Sequence, residues 1–417
     1  MSLVLVLLFV LFLLMGLPVA IVIGASTMAA LNLGDVPLMV VPQQMFAGIN
    51  SFALVAVPMF VLAGDILAQG EISKRLIVFA DSLLGFIKGG LSVVSVLAGV
   101  FFAAISGSGA ATTAAVGASL VPELKRKGYD PASAASLIAA AGTIGVVIPP
   151  SVPMIIYAVI AQESVKSLFL AGFIPGVAMG LGLMIVAVIQ GYRRAYPRGT
   201  SLSLKTIVRT FFAASWGLMA PLIILGGIFS GVFTPSEAAV VAVNYAILVS
   251  LFIYRDLTLR GLYRIILRAG VTTAVILFVI AASSVLSWTL ASWQVPNAIA
   301  ALALSLTDNV FLLLLVVMAL ILITGVFLET ASALIILTPM LLPLAAQLGI
   351  GTVHFGIIIV VGLAIGMVTP PVAINLFVAS STTDQPVERI ARAVVPYLAV
   401  LIVVYLMIAY IPVIFAS

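Results

Sequence analysis

Apolar runs close to 20 residues long recur along the whole chain and are separated by short polar segments. A helical run of this length matches the thickness of the hydrocarbon core of a bilayer. The pattern therefore predicts an all-α polytopic membrane protein.

The two halves of the sequence share one register. Leu120-Val121-Pro122 matches Leu341-Leu342-Pro343, and the two prolines are 343 − 122 = 221 residues apart. The Pro-Pro pairs at 149–150 and 370–371 keep the same spacing. A register held over so many residues indicates an internal duplication. We predict two repeats, at 1–205 and 206–417.

Each repeat is predicted to contain initial helices, a hairpin region, a span broken by glycine and proline, and a final span. The hairpins are predicted at about 91–122 and 312–343, and the broken helices at about 133–160 and 354–380. Before the second hairpin, arginines at four-residue spacing in Leu257–Gly270 predict a short amphipathic helix along the membrane interface, with a separate span after it.

The basic residues give an orientation for this layout. Five crossings in each repeat would invert one repeat relative to the other. With a periplasmic N-terminus, every one of the 18 Lys and Arg residues except Lys166 faces the cytoplasm. Because cytoplasmic loops of membrane proteins are rich in Lys and Arg, this supports inverted repeats with both termini in the periplasm.

Composition excludes several classes of function. The chain is 64% hydrophobic and 7% charged, against about 25% charged in soluble proteins. Its formal charge of +5 needs no nucleic-acid partner, because loop charges explain it. The sequence holds no cysteine, one histidine and no phosphate-binding GxxxxGK[ST] motif. We therefore predict neither an enzyme nor a cofactor-binding protein.

The first hairpin region carries small polar residues inside apolar sequence. About fifteen apolar residues lead to Ser106-Gly107-Ser108-Gly109, and a helix of small residues returns to Pro122. Adjacent glycines weaken a helix by about 1 kcal/mol each, so this tetrapeptide predicts a break. We expect a re-entrant tip whose helix ends and hydroxyls bind ions or substrate. The alternative is that the small residues only allow close helix packing.

The second hairpin has an interrupted tip at Gly325–Ser332, which contains Glu329. A carboxylate within apolar sequence is costly unless it is paired or solvated, which makes Glu329 a candidate site residue. Alternatively, its carboxylate accepts hydrogen bonds from backbone amides at the start of a helix.

The broken spans contain GTIGVVIPPSVP and GMVTPPVAIN. Consecutive prolines remove two backbone donors and free carbonyl groups one turn earlier. Together with the hydroxyls of Thr143, Ser151 and Thr369 and the amide of Asn375, these carbonyls offer the oxygen ligands that suit Na⁺. The alternative is a simple kink in each helix.

These segments resemble the large membrane subunit of tripartite ATP-independent periplasmic (TRAP) transporters. The resemblance covers essentially the whole chain and rests on five segments, namely SGSGAATTAAVG, GTIGVVIPPSVPMIIYA, GVFTPSEAAVVAV, GVFLETASALIILTPMLLP and GMVTPPVAINLF. It implies an elevator-type secondary transporter of the bacterial inner membrane, in which a transport domain slides against a scaffold. The partners that it implies are a small four-helix membrane subunit as a separate chain and a periplasmic binding protein that delivers an organic acid.

The resemblance also implies site residues. One sodium site would be framed by Ser106, Gly107, Ser108, Gly142 and Thr143. Another would be framed by Gly325, Thr330, Gly366 and Thr369, with Na⁺ as the coupling ion. Substrate would lie between the tips, near Ser108, Ser151, Glu329 and Asn375.

Two other functions fit the sequence. One is a stand-alone Na⁺/carboxylate symporter of related fold, which would need no binding protein. The other is a structural or ion-conducting subunit that transports no substrate itself.

Overall fold

The structure is a computed structural model that describes residues 1–68, 70–199, 201–307 and 309–416. The final residue of the predicted second repeat, Ser417, lies outside these ranges. The prediction of an all-α membrane protein is confirmed, since helices dominate the described residues. The first half contains α1 (Ser2–Leu14), α2 (Val19–Leu33), α3 (Val40–Ile49), α4 (Ala56–Leu67), α5 (Glu71–Leu84), α6 (Gly90–Ser106), α7 (Gly109–Arg126), α8 (Pro131–Gly142), α9 (Val152–Ala161) and α10 (Val165–Arg193).

The second half has the same order of elements, with fewer interruptions. It contains α11 (Leu204–Ser230), α12 (Pro235–Leu248), α13 (Leu259–Ser292), α14 (Val295–Leu306), α15 (Val310–Phe327), α16 (Thr330–Gln347), α17 (Thr352–Gly366), α18 (Ile374–Thr383) and α19 (Val387–Ala416). Among the described residues, seven helices are long and apolar enough to cross a membrane, and α3 with α4 forms an eighth candidate that bends by 64°.

Two helix pairs meet at short breaks inside the predicted hairpin regions. Helices α6 and α7 are joined through Gly107 and Ser108, and α15 and α16 through Leu328 and Glu329. Gly107 adopts the left-handed conformation at φ +61°, which glycine accepts without the steric cost that a Cβ brings. Glycine is required there for a second reason, because a Cβ would lie 2.6 Å from the Pro150 carbonyl oxygen.

Irregular backbone also interrupts the two spans that the prolines were predicted to break. Between α8 and α9 the chain forms a 3₁₀ turn at Thr143–Val146 and then an extended Ser151. Between α17 and α18 it turns through 367–373. The Pro149-Pro150 and Pro370-Pro371 peptide bonds are both cis. Each break lies beside a hairpin tip.

The predicted interfacial helix at Leu257–Gly270 is wrong as a separate element. From Leu259 onward these residues form the start of α13, which runs without interruption for 34 residues. A single internal glycine costs about 1 kcal/mol, which is too little to end so long a helix. In the first half the corresponding helices α3 and α4 are separated at Asn50 and Ser51.

The broken helices form the centre of the molecule. Every residue of α17 from Phe355 to Gly366 is buried, as are most residues of α8 and α9. A helix that is apolar on all sides belongs inside a bundle rather than at its surface. A hydrogen bond of 3.2 Å from Asn375 Nδ2 to the Ala139 carbonyl joins the broken span of one half to that of the other.

Candidate functional site

Both hairpin tips line one cavity of about 640 Å³. Residues 106–111 of the first tip and 329–332 of the second tip form parts of its wall. The remaining wall comes from α2, α4, α9 and α13 and from the turn after α17. The two tips, which were predicted to share a site, thus border the same cavity, and it is large enough for a small organic molecule.

Ser108 begins the return helix of the first tip. Its side chain is half-buried, and its hydroxyl accepts a hydrogen bond from the Ala111 amide at 3.4 Å. The first amides of any helix lack an intrahelical acceptor, and those of Gly109 and Ala110 belong to residues on the cavity wall. A helix start with a neutral cap is a favourable place for an anion.

The first tip packs with its backbone against the first broken span. A Cβ built on Gly145 would lie 2.6 Å from both the Ser108 carbonyl oxygen and Thr112 Oγ1. The Ser106 hydroxyl and Thr112 Oγ1 are 2.9 Å apart in a hydrogen bond. Backbone and hydroxyl oxygens from both elements are therefore concentrated in one small volume.

Gly142 and Thr143 lie against the same tip. A Cβ on Gly142 would collide with Thr113 Oγ1 and would lie 2.9 Å from the Gly109 carbonyl oxygen. The Thr143 hydroxyl is fully buried and donates to the Ala140 carbonyl at 2.7 Å. The structure thus places Gly142 and Thr143 beside the first tip, as part of the packed layer behind the cavity.

Glu329 begins the return helix of the second tip. Its carboxylate accepts hydrogen bonds from the Ala331 and Ser332 amides, at 2.9 and 3.3 Å. The side chain is nevertheless exposed to the cavity. Helix capping therefore accounts for part of its role, and a carboxylate oxygen still borders the space between the tips.

The residues predicted for the second sodium site lie around this tip. Gly325 and Gly366 pack backbone to backbone, since a Cβ on Gly366 would lie 2.6 Å from Gly325 Cα. The Thr330 hydroxyl is buried and has no hydrogen-bond partner among the described residues. Thr369 is half-buried, and its hydroxyl donates to the Ile365 carbonyl at 2.8 Å.

Ser151 and Asn375, predicted near the substrate, are fully buried and do not line the cavity. The Ser151 hydroxyl donates to the Val146 carbonyl at 2.6 Å and caps α9 by accepting from the Met154 amide. Asn375 Oδ1 has no hydrogen-bond partner among the described residues. Among the residues predicted for substrate, the structure brings Ser108 and Glu329 to the cavity.

Sequence analysis missed two charged residues of the cavity wall, Asp65 of α4 and Arg268 of α13. The sequence predicts Arg268 on a short interfacial helix, because arginines at four-residue spacing indicate an amphipathic segment. In the structure α13 continues without a break through Gly270 and brings Arg268 to the cavity wall. No comparable signal in the sequence places Asp65 next to the cavity.

These features describe a multi-span membrane permease with a cavity between two helical tips. The chain belongs to the family described as tripartite ATP-independent periplasmic transporter, DctM component, which matches residues 5–414. The resemblance stated from the sequence is confirmed, and it places the chain among transporter permeases rather than enzymes.

Two relatives have similar identities and different named substrates. The isethionate TRAP transporter permease protein DctMQ of Oleidesulfovibrio alaskensis is 40% identical over 97% of this chain, and the match spans 64% of the relative's own length. The C4-dicarboxylate TRAP transporter large permease protein DctM of Pseudomonas aeruginosa is 41% identical over 88% of this chain and 86% of its own.

A solved structure has the same overall fold. The crystal structure of the Alcanivorax borkumensis YdaH transporter, described as having an unusual topology, superposes with a TM-score of 0.63. The superposition covers 99% of each chain at 15% sequence identity. At this identity the likeness concerns the fold alone.

Proposed function

We propose that this chain is the large membrane subunit of a Na⁺-coupled uptake system for an organic acid. The observation that carries the proposal is the single cavity lined by both hairpin tips. Its wall combines the neutral start of α7 with the Arg268 guanidinium, and both favour an anion. The carboxylates of Asp65 and Glu329 lie on other parts of the wall and suit cations or substrate hydroxyls.

Sodium coupling is supported by buried oxygens without hydrogen-bond partners. Thr330 Oγ1 and Asn375 Oδ1 are both buried and unpaired among the described residues. A buried polar atom left unsatisfied costs about 1–3 kcal/mol, so an unpaired oxygen beside a tip is a candidate ligand for an ion. Hydroxyl, amide and carbonyl oxygens are ligands of hard cations. We propose Na⁺ beside each tip, with the packed backbone around Gly142 and Gly366 as support.

The repeats, the orientation and the motion belong to the same proposal. The repeats at 1–205 and 206–417 are inverted, and both termini face the periplasm, because this arrangement keeps nearly all basic residues on the cytoplasmic side. The hairpins and broken helices form a transport domain that moves as an elevator against a scaffold. The lipid bilayer surrounds both parts.

The partners follow from the family. A tripartite system requires two further components, which we propose are a small four-helix membrane subunit on a separate chain and a periplasmic binding protein. The relatives named for isethionate and for C4-dicarboxylates have nearly equal identity to this chain. Overall identity therefore selects neither a sulfonate nor a carboxylate, and the proposed substrate class is an organic acid.

The test is uptake into proteoliposomes that contain this chain and its small subunit, with the binding protein outside. The acid to be supplied is the one that raises the melting temperature of the binding protein in a screen. We expect uptake that requires the binding protein and an inward Na⁺ gradient. Ser108→Ala should reduce uptake while folded protein is retained, because it removes the cap hydroxyl at the cavity.

A different result would contradict each part of this proposal. Uptake that persists without the binding protein would indicate a stand-alone symporter. Equal uptake when K⁺ replaces Na⁺ would remove the coupling claim. Full uptake by Ser108→Ala would remove Ser108 from the site. An absence of uptake in the complete system would favour a structural or ion-conducting subunit.

A further inference from the structure

A second cavity, of about 1020 Å³, adjoins the cavity between the tips. We call it the vestibule, and it lies between α4, α5, α7 and the first part of α13. Asp65, Ala111 and Arg268 line both cavities. These three residues therefore form a neck at which the space between the tips continues into the vestibule.

The vestibule opens toward the side that the basic residues assign to the cytoplasm. Lys74 and Lys127 lie on its wall. Lys74 pairs with Glu71 at 3.0 Å, and Lys127 lies 3.8 Å from Glu123. Positive charge on this wall is therefore largely balanced by neighbouring carboxylates at the outer end.

Arg268 differs from these lysines. Its side chain is exposed, and within the described parts of the chain it closes no salt bridge. It interacts electrostatically with Asp65, a half-buried carboxylate that also lines the neck. A guanidinium in this position presents donors for a carboxylate or sulfonate, whose oxygens it binds in a bidentate manner.

One face of α7 leads from the neck along the vestibule. Ala111, Ala114, Ala115 and Ala118 line this wall, at the spacing of one helical face. The opposite face, with Thr112, Thr113 and Val116, is buried. Small residues were predicted to serve helix packing, and the structure shows that one side of this helix instead borders open space.

We propose that Arg268 is an anion-binding residue of the cytoplasmic exit, where it receives the acid group of the cargo as it leaves the tips. Asp65, which also lines the neck, competes electrostatically with the acid group for the guanidinium, so that the acid is released into the vestibule. This assignment rests on the proposed transport of an organic acid. It adds a binding step that neither hairpin tip supplies.

The sequence contains no cysteine, so a single introduced thiol is the one site on this chain that a thiol reagent labels. Ala111→Cys is prepared in complex with the small subunit, in inside-out membrane vesicles. Two probes are added to the cytoplasmic face, anionic sulfonatoethyl methanethiosulfonate and its cationic trimethylammonium-ethyl counterpart. We expect the ratio of anionic to cationic labelling rates to fall on the order of tenfold when Arg268→Gln is added.

Two matched variants complete the test. Arg264→Gln removes a charge from an exposed residue one turn earlier on α13, which lines neither cavity, and should leave the ratio unchanged. Arg268→Lys keeps the charge and should preserve most of the anionic preference. Because each ratio compares two reagents on the same sample, the amount of folded protein cancels.

An unchanged ratio in Arg268→Gln would overturn the proposal. An equal fall in Arg264→Gln would also overturn it, because the effect would then be a general surface potential. Labelling does not depend on uptake, binding protein or Na⁺. A failure here is therefore distinct from a failure of the proposed transport function, which the proteoliposome assay measures.

Discussion

The two hairpin tips occupy equivalent positions in the sequence and have different chemistry. Ser108 and Glu329 are 329 − 108 = 221 residues apart, which is the spacing of the duplicated prolines. Each begins the return helix of its hairpin, and each side chain accepts hydrogen bonds from the first-turn amides. One cap is a neutral hydroxyl, and the other is a carboxylate.

Because the two caps differ in charge, the two tips offer different chemistry to a molecule in the cavity. At the first tip, the positive end of the α7 dipole has no opposing charge of its own and remains available to an anion. At the second tip, the Glu329 carboxylate neutralises the start of α16, and the next residue, Thr330, carries a buried hydroxyl without a partner among the described residues. We therefore expect the acid group of a substrate to approach the first tip rather than the carboxylate of the second.

The largest effect is expected from making the first tip like the second. In Ser108→Glu, the new carboxylate would accept from the Ala111 amide, as Glu329 does from the Ser332 amide. The helix would remain capped, and a negative charge would face the acid group at short range. Coulomb repulsion over a few ångströms predicts a fall in uptake of at least about 100-fold. Uptake in proteoliposomes measures this loss.

Ser108→Gln is the control for the size of the new side chain, because it has similar volume and no charge. It should retain much more uptake than Ser108→Glu. Thermal unfolding of both variants should stay close to that of the natural chain, since each can still satisfy the first-turn amides. Equal uptake by the two variants would contradict the assignment of the acid group to this tip.

A smaller effect, on stability, tests how the first tip is held. Gly107→Ala introduces a Cβ at φ +61° and 2.6 Å from the Pro150 carbonyl oxygen. The left-handed conformation costs about 1–2 kcal/mol for a residue with a Cβ, and the close contact adds to it. We expect a clearly lower melting temperature in detergent, together with lower uptake.

Gly128→Ala separates the two causes. Gly128 has φ +78°, and a Cβ there would meet no atom within 4 Å, so this variant carries the conformational cost alone. Its melting temperature should fall by less than half as much. Leu328 is the residue of the second tip that corresponds to Gly107. Its backbone is extended, with φ −113°, so that position does not require glycine. Equal losses in the two glycine variants would mean that the approach of the tip to Pro150 contributes nothing.

Much of this organisation could be predicted from the sequence, because helix breaks follow from local chemistry. The Ser-Gly-Ser-Gly tetrapeptide and the two Pro-Pro pairs mark places where no regular helix continues. The structure places an interruption at each of them. The position of Ser108 at the cavity followed from that break together with the apolar sequence around it.

The rest depends on packing that no local pattern encodes. Ser151 has the hydroxyl and the position expected of a ligand, yet its hydrogen bonds to Val146 and Met154 bury it inside the broken span. Arg268 reaches the cavity only because α13 continues without a break past Gly270 and lines the same cavity as both tips. Such placements are set by the tertiary contacts of whole helices.

The smallest effect on stability is expected from Thr330→Val. This variant is also the most direct test of the second tip. The substitution keeps the shape of the side chain and removes a buried hydroxyl that has no partner among the described residues. Removing an unsatisfied polar atom costs no hydrogen bond, so the melting temperature without Na⁺ should stay equal or rise slightly. If this hydroxyl is a ligand of Na⁺, the stabilisation by added Na⁺ should shrink.

Thr338 provides the matched control on the same helix. Its hydroxyl is also buried and unpaired among the described residues, and it lies away from the tip. Thr338→Val should therefore change the melting temperature without Na⁺ as little as Thr330→Val does, and it should leave the stabilisation by Na⁺ unchanged because no cation is assigned there. A Na⁺ response that is identical in Thr330→Val and Thr338→Val would show that the Thr330 hydroxyl does not bind the ion. The second tip would then differ from the first only in its carboxylate cap.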